Sequence, residues 1–311
     1  MEIVLTATPI KNGLFTKEHE FPNGLAVRPI RPILWELSAA KSYMSDNDRE
    51  TLSKINYWLC IEKQWDSWTS SNSERDPYYR THLALIALQV LCSRTSLNVH
   101  MRFWKRADGF DNIGSFHPKE MKSTPLGRFF PYSESEIVQK FVAVSNGVLK
   151  AESERVIRLM NPLVLLEHGL QIDHVYLSTL MWVMGLDMLF MACNRNEFGK
   201  RIKKFLGETT EVFPPISSNF PFCLTVEELV NDIYDIRSEI AHGRAIPERF
   251  RKPIRSELNN DLSPSFYAGV PYSEFLRQGA LRILTLSLEK VFLSNLVTEV
   301  ANTNIWRSIV C

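Results

Sequence analysis

Apolar and polar positions alternate over short stretches in the first third of the chain and recur at helical spacing over the rest. Glu2–Ile10 and Leu25–Ile30 read as short strands, and Leu97–Trp104 (LNVHMRFW) alternates along its length, which predicts a strand. Pro32–Met44, Asp48–Trp65 and Tyr79–Cys92 carry helix-compatible spacing between them. Trp58, Trp65 and Trp68 stand at i, i+7 and i+10, a helical stripe that suits a core or an interface. Thr69–Asp76 (TSSNSERD) and Ala107–Arg128 read as loops, the latter with Gly, Pro and Lys throughout.

From Pro131 the pattern becomes helical. Ser133–Ser145 and Val148–Leu166 are amphipathic, while Val175–Asn194 is apolar nearly all round and reads as a central helix, continued by the basic, amphipathic Asn196–Leu206. A Pro-containing loop, Gly207–Phe222, precedes the helix Thr225–His242. An irregular segment, Gly243–Val270, then leads to a long final helix, Ser273–Val300. The expected fold is mainly α. A mixed α/β region covers 1–130, a helical domain covers 131–311, and no internal repeat is visible.

Thr225–His242 (TVEELVNDIYDIRSEIAH) carries its own start and stop signals. Thr225 with Glu228 forms a capping box, Leu224 and Leu229 sit where a hydrophobic staple belongs, and Gly243 follows the last residue. Val226, Leu229, Val230, Ile233 and Ile240 make one apolar stripe, with Arg237 in its middle. A guanidinium there needs a partner or a polar cleft, because desolvating it alone is costly. The lone charge of the apolar helix, Asp187, is its best candidate partner. Glu228, Asp232, Asp235 and Glu239 form an acidic face expected to be solvated. Asn231, Ser238 and His242 line a neutral polar face beside Tyr234. His242 ends the helix, where the dipole favours an imidazolium.

Composition narrows the classes. Thirty-six basic residues against 35 acidic ones give a formal charge of +1, so bulk charge does not draw this chain to nucleic acid and any anionic partner must meet a local patch. Two segments supply such patches. Residues 195–206 hold Arg195, Lys200, Arg201, Lys203 and Lys204; residues 243–255 hold Arg244, Arg249, Arg251, Lys252 and Arg255. The second adjoins His242 and is the better candidate for tracking a phosphate backbone. Five cysteines without C-x-x-C spacing fit reduced thiols and a cytoplasmic setting, and no leader is expected from MEIVLTATPIKNG. No membrane span is expected either, since Asp187 interrupts the most apolar segment. His19, His82, His100, His117, His168 and His174 show no metal-ligand spacing, and no phosphate-cradling Gly loop is present, so no metal or cofactor is expected.

The string YDIRSEIAHG (Tyr234–Gly243) resembles the R-x-x-x-x-H signature of HEPN domains, most closely the Apea-like branch. GLDMLF (Gly185–Phe190) is similar to the acidic-hydrophobic motif of that family's second helix, and FLG (Phe205–Gly207) followed by a Pro-containing loop matches in order and spacing. The resemblance covers 131–311. It implies a four-helix up-and-down bundle, a homodimer whose two Arg/His helices share one cleft, and metal-independent RNA cleavage. In that reading Arg237 and His242 are catalytic, and Ser238, Asp187, Asn231 and Tyr234 support them. Arg244, Arg249, Arg251, Lys252, Lys200 and Lys203 bind RNA. The family pattern also implies a toxin or antiphage setting with an antitoxin or activating partner, and leaves 1–130 to recognise a trigger, partner or substrate. The chain departs from the pattern at Ser238, where many active members carry Asn, Asp or His. The alternative is a non-catalytic HEPN module that binds a nucleotide or a protein and in which Arg237 and Asp187 form a structural pair.

Overall fold

A computed structural model describes residues 2–10, 14–29, 56–65, 77–92, 101–106, 109–112, 132–172, 174–213, 223–253 and 270–311. The chain is mainly helical, with a small sheet at its N-terminal end. The described residues divide into two units, one running to Ser153 and one from Glu154 to Cys311.

The first unit holds strands β1 (Glu2–Ile10), β2 (His19–Glu20), β3 (Leu25–Arg28), β4 (Tyr57–Trp65), β5 (Met101–Arg106) and β6 (Gly109–Asn112), with helices α1 (Pro77–Leu91) and α2 (Glu134–Ser153). All strand pairs are antiparallel, in the order β2-β3-β4-β1-β5-β6. Helix α1 lies on β1 and β4, and α2 lies on α1. Trp58, Leu59, Cys60 and Ile61 are all buried. A central strand buried on both faces shows no alternation, and this is why Asp48–Trp65 reads as a helix in sequence although Tyr57–Trp65 is a strand. Trp58 and Trp65 therefore stand on a strand, not on a helical stripe. Trp68, Pro32–Met44, residues 48–55 and Thr69–Asp76 lie outside the described residues. The strand expected over Leu97–Trp104 is described from Met101 to Arg106, and the loop expected after it contains β6, which closes a hairpin with β5. Leu25–Ile30 is a strand only to Arg28.

Helix α2 runs unbroken through Asn146-Gly147, where the sequence pattern suggests a gap. The break falls instead at Glu154–Val156, with Arg155 in the left-handed region (φ 52°). The expected boundary near 130 thus moves to Ser153, because Ile137, Phe141, Val144 and Val148 bury with the N-terminal unit, where Phe141 meets Phe21 edge-on at 4.8 Å.

The second unit contains α3 (Ile157–Gln171), α4 (Val175–Phe190), α5 (Arg195–Leu206), the two-stranded ribbon β7 (Glu211–Phe213) and β8 (Leu224–Thr225), α6 (Val226–Ala241), α7 (Glu248–Arg251), α8 (Tyr272–Leu293), α9 (Val297–Ala301) and α10 (Thr303–Val310). Helix α4 packs on α3, α6 and α8, and α6 packs on α5 and α8. The α3–α4 contact is close because Gly169 has no side chain: a Cβ there would stand 2.2 Å from Trp182 Nε1, which donates to the Leu166 carbonyl at 3.3 Å. Each large side chain buried here, among them Trp182, Phe190, Phe198 and Trp306, contributes about 1.5–3 kcal/mol.

Helix α5 does not continue α4; the two meet at a 74° bend. Met191 takes the left-handed conformation (φ 52°), Arg201 donates to the Phe190 and Met191 carbonyls, and Asn194 caps α5 by accepting from Glu197 N–H at 3.0 Å. The final helix expected over Ser273–Val300 is two helices, broken at Ser294–Leu296 around Asn295 (φ 54°), and a third, α10, follows after Asn302. Among the described residues no single helix is long and apolar enough to cross a membrane.

Candidate functional site

Helix α6 is fixed at both ends by its own sequence. The Glu228 carboxylate accepts from the Thr225 backbone N–H at 2.7 Å and from its hydroxyl at 2.9 Å, within a complete capping box. At the other end Gly243 takes φ 64°, its N–H donates to the Ile240 carbonyl (3.1 Å), and the Arg244 N–H donates to Glu239 (2.9 Å). That pair of bonds is a Schellman cap, and it places His242 at the helix end. The buried stripe is Val226, Leu229, Val230, Ile233 and Ile236; Ile240, in the last turn, is only half-buried.

Arg237 sits at the edge of this stripe and meets Asp187 of α4, NH2 to Oδ2 at 3.0 Å. Their side chains are 26% and 16% exposed. Burial pushes the Asp187 carboxyl up to about 6, while Arg237 pulls it the other way. The second carboxylate oxygen and Arg237 Nε are buried without a hydrogen-bond partner among the described residues. The guanidinium carbon also lies 5.5 Å from the Tyr234 ring centre, and that ring packs against Phe198 at 5.2 Å. Asn231 directs its amide oxygen at Gly199 of α5, where a Cβ would stand 2.8 Å away. Asp187, Arg237 and Tyr234 are thus brought together, with Asn231 one turn before Tyr234.

Ser238 follows Arg237 and is half-buried; its carbonyl accepts from the His242 N–H at 3.1 Å. His242 is exposed, and its ring hydrogen-bonds to none of the described residues. Five residues of helix separate Arg237 and His242 by about 7.5 Å of rise and about 140° of turn. One extended arginine and one terminal imidazole can therefore reach a common phosphate only near the helix end.

The acidic face of α6 is not simply solvated, as its pattern suggests. Arg195 is bidentate on Asp235 (2.6 and 3.1 Å), and this hydrogen bonding raises the guanidinium pKa. Arg249 reaches Asp235 at 3.1 Å and Asp232 at 3.6 Å, and the Tyr272 hydroxyl donates to Asp232 at 3.0 Å. Arg244 stands 3.8 Å from Glu239, and Lys203 pairs with Glu227. Lys252 holds Glu248 at 2.9 Å and, with Arg251, keeps that carboxyl below its usual range. Of the expected RNA-binding residues, Arg244, Arg249, Lys252 and Lys203 are therefore ion-paired, while Lys200 projects from the exposed side of α5. Arg195, the bidentate partner on the acidic face, shares the basic segment 195–206 with Lys200, and no spacing within that segment points to its acceptor on α6, 40 positions away. No group of three or more His, Cys, Asp or Glu suited to a metal ion occurs among the described residues.

No protein-family model, curated protein or solved structure matches the chain.

Proposed function

We propose that the helical unit is a metal-independent endoribonuclease of the HEPN type, with α3, α4, α6 and α8 as its four-helix bundle. The observation that carries this reading is the arginine that Asp187 and Tyr234 position on the helix that also ends in an exposed histidine. RNA brings its own nucleophile. An unprotonated His242 takes the 2′-OH proton, the 2′-oxygen attacks phosphorus, and the 5′-oxygen leaves with a proton from a second, protonated histidine. A homodimer supplies that histidine from the other protomer. Arg237 holds the phosphate and offsets the charge that builds on its oxygens. The products are a 2′,3′-cyclic phosphate and a 5′-hydroxyl, and DNA resists. A toxin or antiphage effector held by an antitoxin or released by an activating partner is the setting we propose for this activity.

A second reading has an observation of its own. The low exposure of the Asp187–Arg237 pair favours a binding module in which Arg237 is structural. RNA cleavage in EDTA separates the two. Wild type should cut and leave cyclic ends, while His242→Ala, which removes the acid–base group, and Arg237→Ala, which removes the phosphate's charge-stabilising donor, should each lose at least about a hundredfold in rate. Equal rates for wild type and both variants, or no cleavage by a folded dimer with its cleft open, would exclude the ribonuclease.

A further inference from the structure

Two arginines from neighbouring helices are held by the acidic side of α6. Arg195 of α5 and Arg249 of α7 come from opposite sides in sequence and converge on the one carboxylate of Asp235, with Asp232 as a second acceptor for Arg249. Their side chains are 47% and 57% exposed, while Asp235 is 25% exposed. The arginines therefore face solvent with a carboxylate behind them. On α6, Asp235 lies at i, i+3 and i+7 with Ser238 and His242, so the arginines it holds stand on the histidine's side of the helix. Arg244 repeats the arrangement with Glu239 at the helix end.

A carboxylate and a phosphate offer arginine the same paired oxygens. Exposed ion pairs are weak and exchange readily. A single strand lying along this side would meet guanidinium groups already oriented but occupied. Taking them would leave Asp232 and Asp235 uncompensated beside its phosphates. We infer that the acidic side of α6 is a built-in competitor for single-stranded RNA: Asp235 and Asp232 hold Arg195 and Arg249 as phosphates would, and RNA engages them only by displacing the carboxylates. This rests on the RNA reading above.

The test measures binding of full-length protein to an uncleavable 2′-O-methyl oligonucleotide between about 50 and 200 mM salt. Asp235→Asn should bind roughly fivefold to tenfold more tightly. Its salt slope should steepen by up to about 1.4, at about 0.7 for each of two freed cations on a single strand. Asp232→Asn, which loosens Arg249 alone, should give a smaller gain of the same sign. Adding Arg195→Ala to Asp235→Asn should remove about half of the gain in salt slope. Glu154→Gln, an exposed acid away from this helix, carries the same change in net charge and should alter binding less than twofold. Asp235→Asn that binds no better than Glu154→Gln, or more weakly than wild type, overturns the competitor; so does a folded protein that ignores the oligonucleotide in both forms. The cleavage assay judges the ribonuclease separately. Cleavage by wild type with no gain from Asp235→Asn removes only the competitor, and tight binding by Asp235→Asn with no cleavage by any form removes only the catalysis.

Discussion

Asp187 carries a charge at a place that resists it. Its ordinary pKa of 3.8 rises to about 6 because burial outweighs the pull of Arg237. An acid whose folded pKa is raised favours the fold most when protonated. Its ionisation therefore costs nothing below about 3.8, and the cost is complete above about 6. Wild type should gain stability relative to Asp187→Asn as pH falls from 7 to 4, by on the order of 2 kcal/mol. Denaturant unfolding of both proteins at the two pH values checks this, and a constant difference would show that Asp187 does not titrate in that window. The pairing itself was legible in sequence, since a single acid in an apolar helix and a single cation in an apolar stripe have few other partners. The packing of Tyr234 between Arg237 and Phe198 was not, because nothing in the spacing of α6 says which side chain of α5 lies opposite.

At the scale of elements, the helix ends that carry capping residues fell where their sequences put them. Thr225, Glu228 and Gly243 bound α6 through contacts within a few residues, which is why that helix could be delimited without a structure. Ends without such signals were misplaced, as at Arg155 and Asn295, where non-glycine residues turn left-handed. Strand β4 carries no strand signal in sequence because its four buried residues in a row have no period to read. Close helix contacts are a further feature that spacing hides. Gly169 looks dispensable in α3, yet its bare Cα admits the Trp182 ring and the bond from Trp182 Nε1 to Leu166. Gly169→Ala places a methyl group inside that ring and should destabilise the helical unit by about 3 kcal/mol. A shift in unfolding midpoint with unchanged denaturant slope is the expected result. A variant as stable as wild type would mean that Trp182 can swing aside at no cost.

At the scale of the whole molecule, a net charge of +1 conceals how the charges are arranged. Sequence counting finds two basic segments near the Arg/His helix, but only the fold shows that Arg195, Arg244 and Arg249 are met by one acidic side of α6. The two units also answer acid in opposite senses. In the N-terminal unit, Glu134 at the start of α2 accepts from the Thr16 N–H (3.1 Å) and hydroxyl (2.5 Å) and pairs with His19 Nε2 (2.6 Å). Burial alone would raise this carboxyl, but those bonds more than offset it and hold it at about 2, from an ordinary 4.5. A lowered acid stabilises the fold above its unfolded pKa, and that contribution drains away as pH falls from about 4.5 to about 2. Asp187 works the other way in the helical unit, and over a higher range. Glu134→Gln should therefore weaken the N-terminal unit at pH 7 by on the order of 1–2 kcal/mol, after screening of a partly exposed group, and should match wild type near pH 2. Hydrogen exchange of the first turn of α2, followed in both proteins from pH 7 downward, reads this unit without requiring the whole chain to unfold in one step. A deficit that persists undiminished to pH 2 would show that Glu134 acts through packing and not through its charge.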